Sequence, residues 1–173
     1  MDNYFKIGKL VATFGWDGQM VLEHSLGKKT SLKGLEKVFL EETNDSFIPY
    51  FVEASKIKND KEIFIKLDRI SSKEEARQFI KREIWVNELD FKKYAANAAP
   101  ISLLGFMVMN NEEEIGEVVE VIEQPHQLLC KIWYQGKEAL LPVHQDSLEK
   151  IDKKHRRLFL NLPDGLLDLY RDA

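Results

Sequence analysis

A metal centre, a nucleophile or an acid–base pair needs polar side chains whose spacing makes them converge, and few residues of this chain meet that demand. The histidines His24, His126, His144 and His155 fall in four different predicted segments. A metal site would need all of them to meet by folding alone, so each reads as a solvated or internally satisfied imidazole. The single thiol, Cys130, lies in Leu128-Leu129-Cys130-Lys131-Ile132-Trp133, where alternation puts it on one face with Leu128 and Ile132. That pattern describes a buried structural cysteine. Glu112-Glu113-Glu114 follow Asn110-Asn111 and read as a solvated hairpin turn rather than a cation site. There is no Gly-rich phosphate loop, no G-x-S-x-G elbow and no helical histidine pair with a base between them. These residues predict no catalytic constellation, no cofactor and no metal.

Residues suited to binding are more pointed. Phe14, Gly15, Trp16, Asp17 and Gly18 combine two aromatics with two glycines that permit a tight turn. The residues support equally a binding loop and a hairpin turn with its aromatics folded into the core. Lys153, Lys154, His155, Arg156 and Arg157 form a basic run that reads as a solubilising turn or a phosphate contact. Lys6, Lys9, Lys28, Lys29 and Lys33 make the N-terminal region locally basic. Trp133 and Tyr134 flank a glycine turn, and Trp133 is expected in the core.

The elements that position these groups are strands. Of 173 residues, 44% are apolar and 31% charged, a globular composition. Residues 1–97 carry net charge +1 and residues 98–173 carry −5, giving −4 overall, which excludes coating nucleic acid by bulk electrostatics. One cysteine permits no internal disulfide and fits a reducing compartment, so the cytoplasm is expected. The start shows no secretory leader, and apolar runs such as residues 103–109 are too short for a membrane span.

Runs of alternating β-branched and aromatic residues predict hairpins at 5–11 with 19–23 and at 51–57 with 62–67. Further strands are expected at 103–109, 115–122, 127–134, 138–143 and 157–162. Ser72 followed by Glu75 is a capping box for a short helix whose buried stripe is Ala76, Phe79 and Ile80. Leu148 and Ile151, three apart in a polar stretch, predict helical turns over 146–154. The small residues from Ala95 to Pro100 suggest a boundary. The expected fold class is all-β: two small β-barrel domains, 1–87 and 101–173, joined by a linker at 88–100, with one or two short helices.

The order of these pieces resembles one family. Ile7-Gly8-Lys9-Leu10-Val11 and then Gly15-Trp16-Asp17-Gly18-Gln19-Met20-Val21 resemble the opening of the RimM ribosome maturation factors, the 16S rRNA processing proteins that join an N-terminal RimM barrel to a C-terminal PRC-type barrel. Ser72 to Ala76 and Arg82 to Val86 are similar to the family's helix and closing strand. Leu103 to Val108, Ile115 to Val118, Glu138 to Val143, Ile151-Asp152 and Leu162 to Asp168 are similar to its second barrel and C-terminal signature. The resemblance implies a non-enzymatic factor that binds the free small ribosomal subunit at its head, through protein S-nineteen and 16S rRNA, and assists late assembly. It implies no membrane and no small-molecule substrate, and the chain is expected to act as a monomer.

Two departures stand out. Where the family often carries two tyrosines important for subunit binding, this chain has Ala98 and Ala99, so Phe91 and Tyr94 are the expected substitutes. A glycine common after the first-domain helix is Lys81 here. The expected contact residues are Phe14, Gly15, Trp16, Asp17, Gly18, Phe91, Tyr94, Lys153, Lys154, Arg156 and Arg157. The alternative reading is a PRC-barrel adaptor for a non-ribosomal complex.

Overall fold

Strand periodicity governs the first half of the chain, and the strands close on themselves. In the computed structural model, which describes residues 3–96 and 99–171, the chain divides into two units, Met1–Ala99 and Pro100–Ala173. The first holds β1 (Tyr4–Phe14), β2 (Gln19–His24), β3 (Lys37–Thr43), β4 (Ser46–Ile57), β5 (Glu62–Leu67) and β6 (Glu83–Asn87). They form a closed barrel in the order β1-β2-β5-β4-β3-β6, with every neighbouring pair antiparallel. Alternation turns Met20 and Leu22 of β2 and Ile63, Ile65 and Leu67 of β5 inward, all at 0% exposure. Each such side chain, fully withdrawn from water, contributes about 1.5–3 kcal/mol.

Two helices complete this unit. Helix α1 (Lys73–Arg77) begins at Ser72, whose hydroxyl accepts from the Glu75 amide at 3.1 Å and donates to the Glu75 carboxylate at 3.3 Å. The expected capping box is therefore present, and Ala76 is the residue it buries. Helix α2 (Glu88–Tyr94) starts from Asn87, whose side chain accepts from the Asp90 amide at 2.8 Å. It occupies the segment expected as linker. Its apolar face packs on the barrel through Phe91, stacked on Phe5 at 4.8 Å, and Tyr94, which donates to the Lys33 carbonyl at 2.8 Å. The Ala96 amide then donates to the Leu26 carbonyl, so this segment is folded onto the first unit as far as it is described. Ala98 lies outside the described residues.

The second unit opens with a 3-10 turn at Pro100–Leu103, followed by β7 (Met107–Asn110), β8 (Glu113–Gln124), β9 (Gln127–Tyr134), β10 (Lys137–Val143), β11 (Leu148–Asp152), β12 (Arg157–Leu160) and α3 (Asp168–Arg171). These strands make one six-stranded sheet in the order β10-β9-β8-β7-β12-β11, antiparallel except between β12 and β7. Its core gathers Val108, Val118, Cys130, Ile132, Ala139, Leu141, Leu158 and Leu160. Asn111 and Glu112, at φ of 52° and 68°, form the tight turn joining β7 to β8. The all-β class is thus the observed one.

Two expectations need correction. Residues 148–152 are strand, not helix, because a bulge between Leu148 and Lys150 interrupts the alternation and imitates a spacing of three. Residues 103–106 are not strand: Leu103 ends the 3-10 element, Leu104 and Gly105 form a turn, and β7 starts only at Met107. The glycine missing after α1 is met differently: Lys81 itself adopts φ 75° and donates its amide to the Leu10 carbonyl at 2.7 Å. A side chain in that left-handed region carries a steric cost that glycine lacks.

His24 is a buried polar residue, 3% exposed. Its Nδ1 accepts from the Leu26 amide at 3.2 Å, and its Nε2 has no partner. Burial away from water pushes its pKa below the ordinary imidazole value.

Two tests follow from these local conflicts. Lys81→Gly, which relieves the left-handed strain, should raise unfolding free energy in urea by about 0.5–1 kcal/mol, and a loss of stability would contradict the strain. Below about pH 6.5 the unfolded chain binds a proton that native His24 refuses, so stability falls as pH falls through that range, by at most about 1.4 kcal/mol per pH unit. His24→Gln should flatten this slope between pH 7.5 and 5.5, compared by urea titration with the parent chain; an unchanged slope would assign the titration elsewhere.

Candidate partner-binding surface

The turn between β1 and β2 is the sharpest surface feature of the first unit. Gly15 and Gly18 hold φ of 69° and 94°. At Gly18 a Cβ would collide with the Ile70 carbonyl, so the strand-to-turn crossing requires glycine both for its angle and for its bareness. The Lys73 amide donates to the Trp16 carbonyl at 3.1 Å, and Gln19 Nε2 donates to Asp17 Oδ2 at 3.4 Å. The loop backbone is therefore tied to the start of α1 while the Trp16 ring stands 85% exposed. Phe14 is 51% exposed and lies against Phe64 at 4.4 Å. Of the two readings the residues allowed, the structure has the aromatics outside the core.

The same end of the barrel carries two residues that the sequence reading passed over. The Asp68 amide donates to the Phe51 carbonyl and its carboxylate accepts from the Phe51 amide at 2.7 Å, which fixes Phe51 beside the 68–71 turn that Gly18 abuts. Phe51 is 56% exposed. Arg69, at φ 65°, donates to the Pro49 carbonyl and lies 4.2 Å from the Tyr50 ring centre, a cation–π distance. The signal for Phe51 was available: alternation along β4 places it opposite the core-facing set. Arg69 had none, because its place depends on a turn conformation unusual for arginine.

Phe91 and Tyr94 stand elsewhere. At 4% and 7% exposure they fasten α2 to the barrel, and the structure corrects their expected role as surface contacts. The helical spacing that would have exposed one face to a partner instead turns both rings onto Phe5 and the 33–34 turn.

In the second unit the basic run forms the turn between β11 and β12. Asp152 accepts from the His155 amide at 3.1 Å and meets His155 Nδ1 at 2.9 Å; those bonds hold its carboxyl below the usual range. Arg156 is turned inward, donating to the Leu104 carbonyl at 3.0 Å with its guanidinium over Phe106. Arg157 pairs with Glu114 at 3.5 Å. Lys153 and Lys154 are exposed, so the five residues are not equivalent: His155, Arg156 and Arg157 have partners within the fold. Trp133 is 54% exposed, against the expectation that it fills the core. The reason is alternation itself: Cys130 and Ile132 are at 0% and Tyr134 at 6%, which leaves Trp133 on the opposite face.

Burial pushes the Cys130 thiol up to about 12, so it stays protonated and unreactive near neutral pH. Among the described residues no three His, Cys, Asp or Glu side chains gather to hold a metal ion. An open groove beside the β4–β5 turn is lined by Glu23, Lys29, Lys58, Asn59, Asp60, Lys61 and Glu62. Its charges are mixed, with Lys58 and Asn59 hydrogen bonded to Glu62 and holding that carboxyl low. Among the described residues no helix is long and apolar enough to cross a membrane.

Comparison with known proteins aligns with this two-unit layout. Residues 5–91 match the RimM N-terminal domain and residues 100–166 the RimM PRC barrel domain. The chain is 28% identical to a ribosome maturation factor RimM from Christiangramia forsetii, over 96% of this chain and 95% of that one. It is 33% identical to the RimM of Phocaeicola vulgatus, over 70% and 73%. A crystal structure from Pseudomonas aeruginosa in the same category shares 18% identity at a TM-score of 0.41, covering 93% and 98%.

If the Trp16 loop is surface and α2 is core, the two respond differently to truncation. Trp16→Ala should leave unfolding free energy within about 0.5 kcal/mol of the parent, whereas Phe91→Ala should cost about 3–5 kcal/mol. Denaturant melts of the two variants check this, and equal costs would overturn the division.

Proposed function

This chain belongs to the RimM family, and from that premise we propose that it is a ribosome maturation factor that binds the free small ribosomal subunit and assists late assembly of its head and 16S rRNA processing. The observation that carries the reading is the ordered match of both family domains, at 5–91 and 100–166, along one chain. Relatives named ribosome maturation factor RimM that span nearly the whole chain support it. The absence of convergent polar groups in the sequence supports action by binding rather than catalysis, with no small-molecule substrate.

The binding modules are the two domains, 1–87 and 101–173. Phe14 and Trp16, set by Gly15, Asp17 and Gly18, form one contact surface, and Lys153 and Lys154 a second. Exposed aromatics suit a protein or nucleotide-base face, and the lysines suit phosphate. The protein partner in this reading is S-nineteen of the subunit head, with 16S rRNA beside it, and the factor works as a cytoplasmic monomer. A factor of this kind acts by binding one arrangement of the maturing subunit better than its competitors, which raises that arrangement's population by the ratio of the two affinities.

Sedimentation of a lysate through a low-magnesium gradient tests the reading. The tagged chain should migrate with free small subunits and be absent from whole ribosomes, and Trp16→Ala should reduce that co-migration without altering stability. Residence only in slow fractions or with membranes would replace the proposal with the non-ribosomal adaptor.

A further inference from the structure

The second sheet ends on β10, and an end strand presents backbone donors and acceptors that invite another strand. In β10 these outward groups belong to Glu138, Leu140 and Pro142, since the backbone of Leu140 bonds to Tyr170 and that of Pro142 to Ser147 rather than to β9, and the parity alternates along an antiparallel strand. Each outward position near the centre is answered by a side chain. Pro142 has no amide hydrogen to offer, and its carbonyl accepts from the Ser147 hydroxyl at 2.8 Å. Leu140 offers both groups, and one atom meets both: Tyr170 Oη accepts from the Leu140 amide and donates to the Leu140 carbonyl, each at 3.2 Å. A hydroxyl here does what the paired residue of a neighbouring strand would do.

Tyr170 is brought there by α3, a single turn of helix with no buried residue. Its other ties are polar and peripheral. Arg171 Nε donates to Tyr134 Oη at 3.0 Å, and Lys137 Nζ reaches the Arg171 carbonyl at 3.4 Å. Leu169, between them, is 68% exposed. A one-turn segment with no fully buried residue opens more often than the sheet it covers.

The uncovered edge is complementary to itself. A two-fold axis through Leu140 sets Leu140 opposite its own copy, so that each amide meets the other's carbonyl, and sets Glu138 opposite Pro142. Glu138 then lies opposite Pro142, whose carbonyl is already taken by Ser147, so the two Leu140 bonds carry the new ladder. Like charges do not face each other in that register, and Leu140, 36% exposed, would gain an apolar partner.

We propose that the C-terminal turn carrying Tyr170 is a guard on the β10 edge, and that without it a second copy of this chain adds antiparallel to β10 about Leu140. The guard keeps the free chain monomeric. This inference is independent of the ribosomal reading, since it concerns the chain alone.

Sedimentation velocity of the full chain over a wide concentration range tests it. The parent should remain monomeric, Tyr170→Ala should shift toward dimer as concentration rises, and Tyr170→Ala with Leu140→Lys, which sets two like charges across the axis, should return to monomer. Both changed positions lie at the surface, so thermal unfolding should confirm that the fold is kept. In a parallel readout, Tyr170→Phe keeps the ring and removes the hydroxyl, and hydrogen exchange at the Leu140 amide should accelerate about fivefold, the loss expected for one exposed hydrogen bond. A monomeric Tyr170→Ala chain, a dimer that Leu140→Lys fails to dissolve, or a parent that already dimerises through β10 would each overturn the proposal.

Discussion

Closure of the first barrel depends on the bareness of Gly8. This residue sits in the strand that joins the two ends of the sheet, opposite His24 of β2 on one side and Ile84 of β6 on the other. A Cβ at this position would drive into the Glu23 carbonyl and the His24 backbone. Bulges beside it, between Leu10 and Ala12 toward β2 and between Lys6 and Gly8 toward β6, bend the strand where it pairs with both neighbours. With any side chain at Gly8, β1 and β2 would have to shift apart, at the expense of the pairing that closes the sheet. The 15–18 turn, the contact between Trp16 and α1, and the packing of Phe5 under α2 all inherit their positions from that strand.

Closure also decides where recognition occurs. Leu10, Met20, Leu22, Leu40, Ile63, Ile65, Leu67 and Ile84 are all at 0% exposure and fill the interior of a narrow six-stranded barrel. A partner must then be met at the rim or the outer face. Trp16 is the largest group left there, and removing its ring from water on a partner is worth on the order of 4 kcal/mol before the costs of association. The hydrogen bond from Lys73 to the Trp16 carbonyl holds the loop backbone in one arrangement, which would lower the ordering cost of any contact made there.

Much of this was legible in the residues because a strand with one wet face writes its period directly. The hairpin of β4 and β5 and the capping box at Ser72 emerge from side-chain type and spacing alone. What stayed hidden has identifiable causes. The bulge after Leu148 shifts the period and disguises a strand as a helical turn. Phe91 and Tyr94 occupy a short helix whose buried face is set by residues far away in sequence, Phe5 and Lys33, and no local pattern announces such a partner. Arg156 reads as one more cation in a basic run, yet its guanidinium closes a turn by binding the Leu104 carbonyl, so composition overstated the charge available to a ligand. Trp133 was mistaken by weighting residue type over position: the alternation that buries Cys130 and Ile132 requires it to face water.

The same distinction bears on how such a chain recognises an RNA-rich partner. With net charge −4 its long-range field opposes a polyanion, and several of its cations are already held by carboxylates. Lys58 is bound to Glu62, Lys66 to Glu53, Lys131 to Glu120 and Arg157 to Glu114. Each pair would have to be broken, and its carboxylate displaced, before that cation could neutralise a phosphate. Exposed aromatics carry no such obligation, since their surface is unsatisfied already. Under the proposed function, binding at the first unit rests on shape and desolvation at Trp16 and Phe14, which favours a folded surface over the bulk of charged RNA.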